Sequence, residues 1–139
     1  MNSATRTRIE QSFAAQSMLQ TFGATLARVA ESEIWIRSPI LPGTRQQQGF
    51  PHAGLTFSIG DSAAGYAALS TMPHDLEVVT AEIKINLLAP ARGDHLLAKG
   101  RIIKPGRRLT VVAAEVLAID AGAETLIAVL QGTMMPVPR

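Results

Sequence analysis

The stretch HAGLTFSIGDSAAGYAAL, residues 52–69, decides how this chain of 139 residues is read. Leu55, Ile59, Ala63, Tyr66 and Ala67 recur at helical spacing, and Phe57, Ala64, Ala68 and Leu69 fill the other faces. A helix apolar on several sides is one that other structure wraps. Gly60 and Gly65 each cost about 1 kcal/mol relative to alanine in a helix interior, and small residues let another backbone approach. In the middle sits Asp61. A carboxylate withdrawn from water must be paired, hydrogen-bonded or protonated, because burying it bare costs several kcal/mol. An ion pair, a hydrogen bond through Ser58 or Ser62, or exposure at a gap in the sheet would each account for it in structural terms.

The residues before the helix suggest chemistry as well. His52 precedes it and Ala53-Gly54 form its first turn, where free backbone N–H groups and the positive end of the helix dipole can bind a carbonyl oxygen. Asp61 lies about 11 Å further along at 1.5 Å per residue, too far to act on the same carbonyl within one chain. Antiparallel placement of two such helices about a two-fold axis brings the Asp61 of one chain toward the helix start of the other.

Working outward, Ile9, Phe13, Met18, Leu19 and Phe22 predict an amphipathic helix over residues 6–22 with Gly23 as its C-cap. Residues 24–37 read as one strand. SPILPGTRQQQGFP is a loop delivering the chain to the central helix. Three strand-like runs follow the MPHD break, over residues 76–90, 94–120 and 123–137, and Pro105-Gly106 divides the middle one. In the first, Ala81, Ile83, Ile85 and Leu87 alternate with Glu82, Lys84 and Asn86, which predicts one dry and one wet face. Pro105-Gly106 and Ala121-Gly122 read as turns between antiparallel neighbours. The order predicts an α+β fold, a curved antiparallel sheet wrapped around a long central helix with an N-terminal helix outside. Residues 1–23 form that outer helix and 24–139 a single domain.

Composition narrows the function. Hydrophobic residues make up 47% and charged residues 17%, which points to surface buried against further copies of the chain. A net charge of +2, with basic residues scattered except for Lys104 to Arg108, argues against a nucleic-acid partner. With no cysteine, disulfides, thiolate metal sites and cysteine nucleophiles are excluded. His74, His95 and Glu115 lack metal-ligand spacing, so no metal is expected. No apolar run approaches the roughly 20 residues that span a bilayer, and the N-terminus lacks the pattern of a signal peptide. A cytoplasmic protein without a membrane partner is expected.

The sequence resembles the hotdog-fold acyl-CoA thioesterases of the phenylacetate-degradation type. That family is marked by a histidine-glycine-glycine turn, a helix, and an acidic residue nine positions after the histidine; here these are His52, Ala53, Gly54 and Asp61. VTAEIKINLLAPARGD (79–94), KPGRRLTVVAAEV (104–116) and AVLQGTMMPV (128–137) extend the likeness over about residues 46–137. The resemblance implies a hotdog fold paired into homodimers and usually homotetramers, and hydrolysis of an acyl-CoA to free acid and coenzyme A. Coenzyme A is then part of the substrate and no other cofactor is needed. By likeness, Asp61 is general base or nucleophile, and the Ala53 backbone N–H of the partner chain polarises the thioester carbonyl. The family usually has glycine where this chain has Ala53. His52 orients the thioester region, Gln46 or Gln48 replaces an asparagine of several relatives, and Thr80 matches a residue that helps hold the attacking water. Lys104, Arg107 and Arg108 suit the phosphates of coenzyme A. The alternative is a non-catalytic acyl-CoA-binding or sensing module on the same fold, which would tolerate loss of Asp61. A hotdog hydratase is the weakest fit, because no aspartate stands near His52.

Overall fold

A computed structural model describes residues 1–139. The elements run α1 (Ser3–Ala15), α2 (Ser17–Thr21), β1 (Thr25–Ala30), β2 (Glu33–Pro39), a 3-10 turn (Pro42–Thr44), α3 (Ala53–Leu69), β3 (Leu76–Leu87), β4 (His95–Lys104), β5 (Thr110–Asp120) and β6 (Ala123–Pro138). The strands form one antiparallel sheet in the order β1-β2-β4-β5-β6-β3. α3 lies against β2 through β6, so the sheet curves around the helix as a hotdog fold requires.

The apolar faces of α3 explain this wrapping. Leu55, Ile59, Ala63, Ala64, Ala67, Ala68 and Leu69 are buried in one core with Ile34, Ile36, Leu96, Val112, Val116 and Leu130. Helix and sheet backbones approach closely at Gly100 of β4, where a Cβ would fall 2.2 Å from the carbonyl carbon of Ala63. Gly60 makes a similar accommodation, since a Cβ there would stand 2.9 Å from the Leu130 side chain. Ile9, Phe13 and Leu19 from the N-terminal segment enter the same core.

Three elements differ from expectation. The N-terminal helix is interrupted at Gln16, whose backbone is extended (φ −79°, ψ 96°); its side chain turns inward to the hydroxyl of Tyr66. Residues 24–37 form a hairpin, because Ser32 adopts φ +65° and folds β2 back onto β1. The sheet therefore has six strands where sequence periodicity predicted five.

The third difference positions the site. The dry face expected from Ala81 to Leu87 is incomplete: Ile83 and Ile85 are half-buried, whereas Ala81 and Leu87 are exposed, because β3 is an edge strand. The register against β6 also shifts between Thr80 and Glu82, leaving Ala81 as the extra residue of a bulge. Strict alternation would put Thr80 on the outer face with Glu82. The bulge instead turns Thr80 toward α3, the kind of re-aiming that bulges perform.

Candidate active site

Asp61 is half-buried on the open stripe of α3, with Ala53, Gly54 and Phe57 exposed and Ser58 and Ser62 half-buried beside it. Its Oδ1 accepts a hydrogen bond of 2.8 Å from the Thr80 hydroxyl, and its Oδ2 has no protein partner. Neither Ser58 nor Ser62 serves it; Ser58 donates to the carbonyl of Gly54. Burial raises the Asp61 carboxyl above the ordinary aspartate value, opposed by the Thr80 hydrogen bond, which favours the ionised form. The Thr80 oxygen also lies 3.3 Å from Met134 Sδ, and Met134 is fully buried.

The carboxylate faces a cavity of about 250 Å³ whose wall includes Ser62, Tyr66, Glu77, Thr80 and Met134, with Ser12 and Gln16 reaching in from the N-terminal segment. Gln16 Nε2 donates to the Tyr66 hydroxyl at 2.7 Å, and Ser12 Oγ stands 3.1 Å from it. In the sequence Tyr66 reads only as an apolar-face residue of the central helix, and Gln16 carries no role. A tyrosine that needs a partner when buried was the available signal; the break at Gln16 left none in the sequence.

At the other end of α3, His52 is the N-cap (φ −64°, ψ 144°), and its Nδ1 accepts the N–H of Gly54 at 2.7 Å. This bond fixes the imidazole proton on Nε2. It also removes one of the two expected donors: the Gly54 N–H is engaged, Leu55 N–H binds the His52 carbonyl, and Ala53 N–H is left without a protein acceptor. His52 and Ala53 stand between two cavities of about 550 and 560 Å³. The first is walled by Met18, Phe22, Leu55, Phe57 and Ile85. The second is lined by Gln46, Gln48, Phe50, Leu87 and Leu88 among others. Both glutamines thus reach the same space, Gln46 half-buried and Gln48 exposed, and the Gln48 N–H donates to the Gln46 side-chain oxygen.

The Asp61 cavity shares no lining residue with the two cavities at His52, so one chain keeps the two halves apart. Lys104, Arg107 and Arg108 are exposed beside the β4–β5 turn and line none of these cavities. That turn lies at the end of the sheet away from His52: the opposite end of β4, His95, pairs with Pro39, from which the chain runs on toward the helix start. Arg92 stands over Phe50 of the second cavity's wall, with its guanidinium carbon 5.4 Å from the ring centre, and Arg45 is engaged by the carbonyls of Gly49 and Ile40. No three or more His, Asp or Glu side chains converge in metal-binding fashion.

A curved antiparallel sheet around one helix, with a carboxylate on that helix and an unengaged N–H at its start, defines a hotdog thioesterase-like chain. Comparison with known families agrees, since the thioesterase superfamily profile matches residues 48–124, more than half of the sequence. The chain belongs to the thioesterase superfamily, whose common reaction is hydrolysis of a thioester. It is similar to a crystal structure of a thioesterase family protein from Silicibacter pomeroyi at 36% identity, covering 97% of this chain and 99% of that one with a TM-score of 0.94. The PaaI protein from the phenylacetic acid degradation operon of E. coli shares the fold at a TM-score of 0.84 and 19% identity, over 96% of this chain and 93% of that one. A Saccharolobus solfataricus protein with a provisional esterase name is 41% identical over 64 residues, 46% of this chain. The match spans 42% of the length of that relative.

Proposed function

We propose that this chain is an acyl-CoA thioesterase acting as a homodimer, paired further into a homotetramer, in the cytoplasm. Asp61 works in a site completed by the Ala53 N–H of the partner. The observation that carries the proposal is the state of Asp61: a half-buried carboxylate, raised in pKa by burial, with one protein donor and one oxygen free beside a cavity. Holding such a group costs stability, and a carboxylate poised to take a proton from water, or to attack a thioester itself, offsets that cost with function.

The dimer is supported by what the single chain leaves open. β3 is a 12-residue edge strand, and long uncovered edges invite pairing with another strand. Val79 and Leu87 on it are 44% and 58% exposed, and Phe57 on the neighbouring helix stripe is 36% exposed. Joining two chains across β3 covers these side chains and sets the two α3 stripes against each other, which closes the distance that one chain cannot.

In the reaction, Ala53 N–H and the His52 Nε2–H approach the thioester carbonyl oxygen, on which negative charge develops. Water adds to the carbonyl carbon while Asp61 accepts its proton; the carbon–sulfur bond then breaks as Asp61 returns that proton to the sulfur, and free acid and coenzyme A thiol leave. If Asp61 attacks instead, an anhydride forms with loss of the thiolate, and the water that hydrolyses it supplies the proton that gives the same products. Thr80 positions the carboxylate, and Gln46 and Gln48 hold the substrate near His52. Coenzyme A is part of the substrate, and no further cofactor is needed. Lys104, Arg107 and Arg108 meet the coenzyme A phosphates from another subunit of the assembly. Thiol release from a panel of acyl-CoAs tests the proposal, with Asp61→Asn as comparison. Turnover by the wild type that drops about 10²- to 10⁴-fold in the variant is expected. A silent wild type, or an equally fast variant, removes the catalytic claim, and binding without turnover would make the chain a sensing module.

A further inference from the structure

We propose that Met18 and Phe22 of the N-terminal segment form the wall that selects the acyl group, and that the two cavities flanking Ala53 divide the substrate between them. This rests on Ala53 N–H as donor to the thioester carbonyl. A thioester held by its carbonyl oxygen sends two arms in opposite directions, one from the carbonyl carbon and one from the sulfur. Two cavities meet at His52 and Ala53, and their chemistries differ.

The cavity of about 550 Å³ offers hydrocarbon and aromatic surface from Met18, Phe22, Leu55, Phe57 and Ile85. Arg45 also borders it, but its guanidinium donates to the carbonyls of Gly49 and Ile40 and is not free for an anionic group. An apolar acyl chain or an aryl ring gains by entering this space. The other cavity also has apolar walls, from Phe50, Leu87, Leu88 and Ile127, but unlike the first it presents the carboxamides of Gln46 and Gln48, which can exchange hydrogen bonds with the amides in the sulfur-side arm of a coenzyme A thioester. The reverse placement leaves those amides against hydrocarbon without partners, which is unfavourable.

Met18 and Phe22 are suited to selection because they stand apart from the reacting groups. They follow the interruption at Gln16 and lie outside the sheet. Met18 is 51% exposed, and Phe22, half-buried, rests one side on the core and turns part of its surface to the cavity. A thioether side chain adapts to the end of a flexible ligand.

The test measures kcat/KM for straight-chain acyl-CoAs from acetyl to lauroyl with full-length wild type, Met18→Ala, Phe22→Leu and Phe22→Ala. Opening the wall moves the optimum to longer chains. The kcat/KM ratio of the longer substrates to acetyl-CoA rises about tenfold in Phe22→Ala and less in the other two. Met18→Ala and Phe22→Leu keep the test valid should Phe22→Ala fail to fold. If every folded variant changes all chain lengths by one common factor, Met18 and Phe22 do not select the acyl group, while the thioesterase proposal stands. A wild type that cleaves no acyl-CoA overturns both, so the wild-type rate tells the two failures apart.

Discussion

Replacing Thr80 with valine removes one oxygen while keeping the shape of the side chain against Met134. Asp61 Oδ1 then loses the single protein donor it has, at 2.8 Å. A hydrogen bond to a charged group contributes about 1.5–3 kcal/mol in a sheltered site. Thr80 is exposed in the single chain, so screening by water brings the figure to about 1–1.5 kcal/mol. That corresponds to a loss of about 5- to 10-fold in kcat/KM where Asp61 titrates. The effect has a sign as well as a size. Burial raises the Asp61 carboxyl and the Thr80 bond opposes this, so in the valine variant burial acts unopposed and the carboxyl moves further up. Catalysis needs the ionised form, so kcat/KM climbs with pH, and the climbing limb of Thr80→Val lies at higher pH than that of the wild type. Thiol release measured from acid to alkaline pH gives both profiles, and Thr80→Ser, which keeps the hydroxyl, returns the limb close to its wild-type position. A valine variant whose limb coincides with the wild type, or moves to lower pH, would refute the role assigned to this contact.

Other perturbations test other parts of the structure. Because the folded-state pKa of Asp61 is raised, the ionised group favours unfolding, and its contribution worsens as pH rises from the unfolded carboxylate value through the folded one. Asp61→Asn is therefore expected to have a higher Tm than the wild type at neutral pH, with the gap closing in acid, while losing activity; calorimetry across pH checks this. Gly100→Ala drives a methyl group into the α3 backbone at Ala63 and is expected to cost about 3 kcal/mol or more in urea unfolding. In the β5–β6 turn, Ala121 and Gly122 both have positive φ, 49° and 85°, between the paired Asp120 and Ala123. Asparagine tolerates that conformation better than alanine, so Ala121→Asn should stabilise by about 0.5–1 kcal/mol in the same measurement.

How much of this was legible depends on where each signal resides. α3 was readable to its ends because its apolar residues, its N-cap histidine and the following break are all local. The β5–β6 hairpin was readable from Ala121-Gly122 for the same reason. The β1–β2 hairpin was not, since Glu31-Ser32 contains no glycine, proline or asparagine and a lone serine marks a turn only weakly, and the left-handed conformation of Ser32 is imposed by the pairing. The interruption at Gln16 has no sequence breaker either; it reflects a hydrogen bond to Tyr66, 50 residues away. Hardest to foresee is the bulge at Ala81, because register is a property of two strands and periodicity in one strand cannot show it. It decides that Thr80 faces Asp61. The cap formed between His52 and Gly54 likewise depends on the orientation of the imidazole ring, which no local pattern encodes, and it leaves Ala53 as the unengaged donor of the first turn.

That donor allows a direct test of a site shared by two chains. Proline is favoured at the first position of a helix, and His52 already has the extended backbone that a following proline requires. Ala53→Pro thus removes the N–H while leaving the helix start intact. Ala53→Pro and Asp61→Asn are each expected to be nearly inactive. Unfolded and refolded together in equal amounts, they form mixed dimers in which one site of two combines an intact Asp61 with the partner's intact Ala53, so about one quarter of wild-type activity returns. Mixed material no more active than the separate variants would contradict a site built across the two-fold axis.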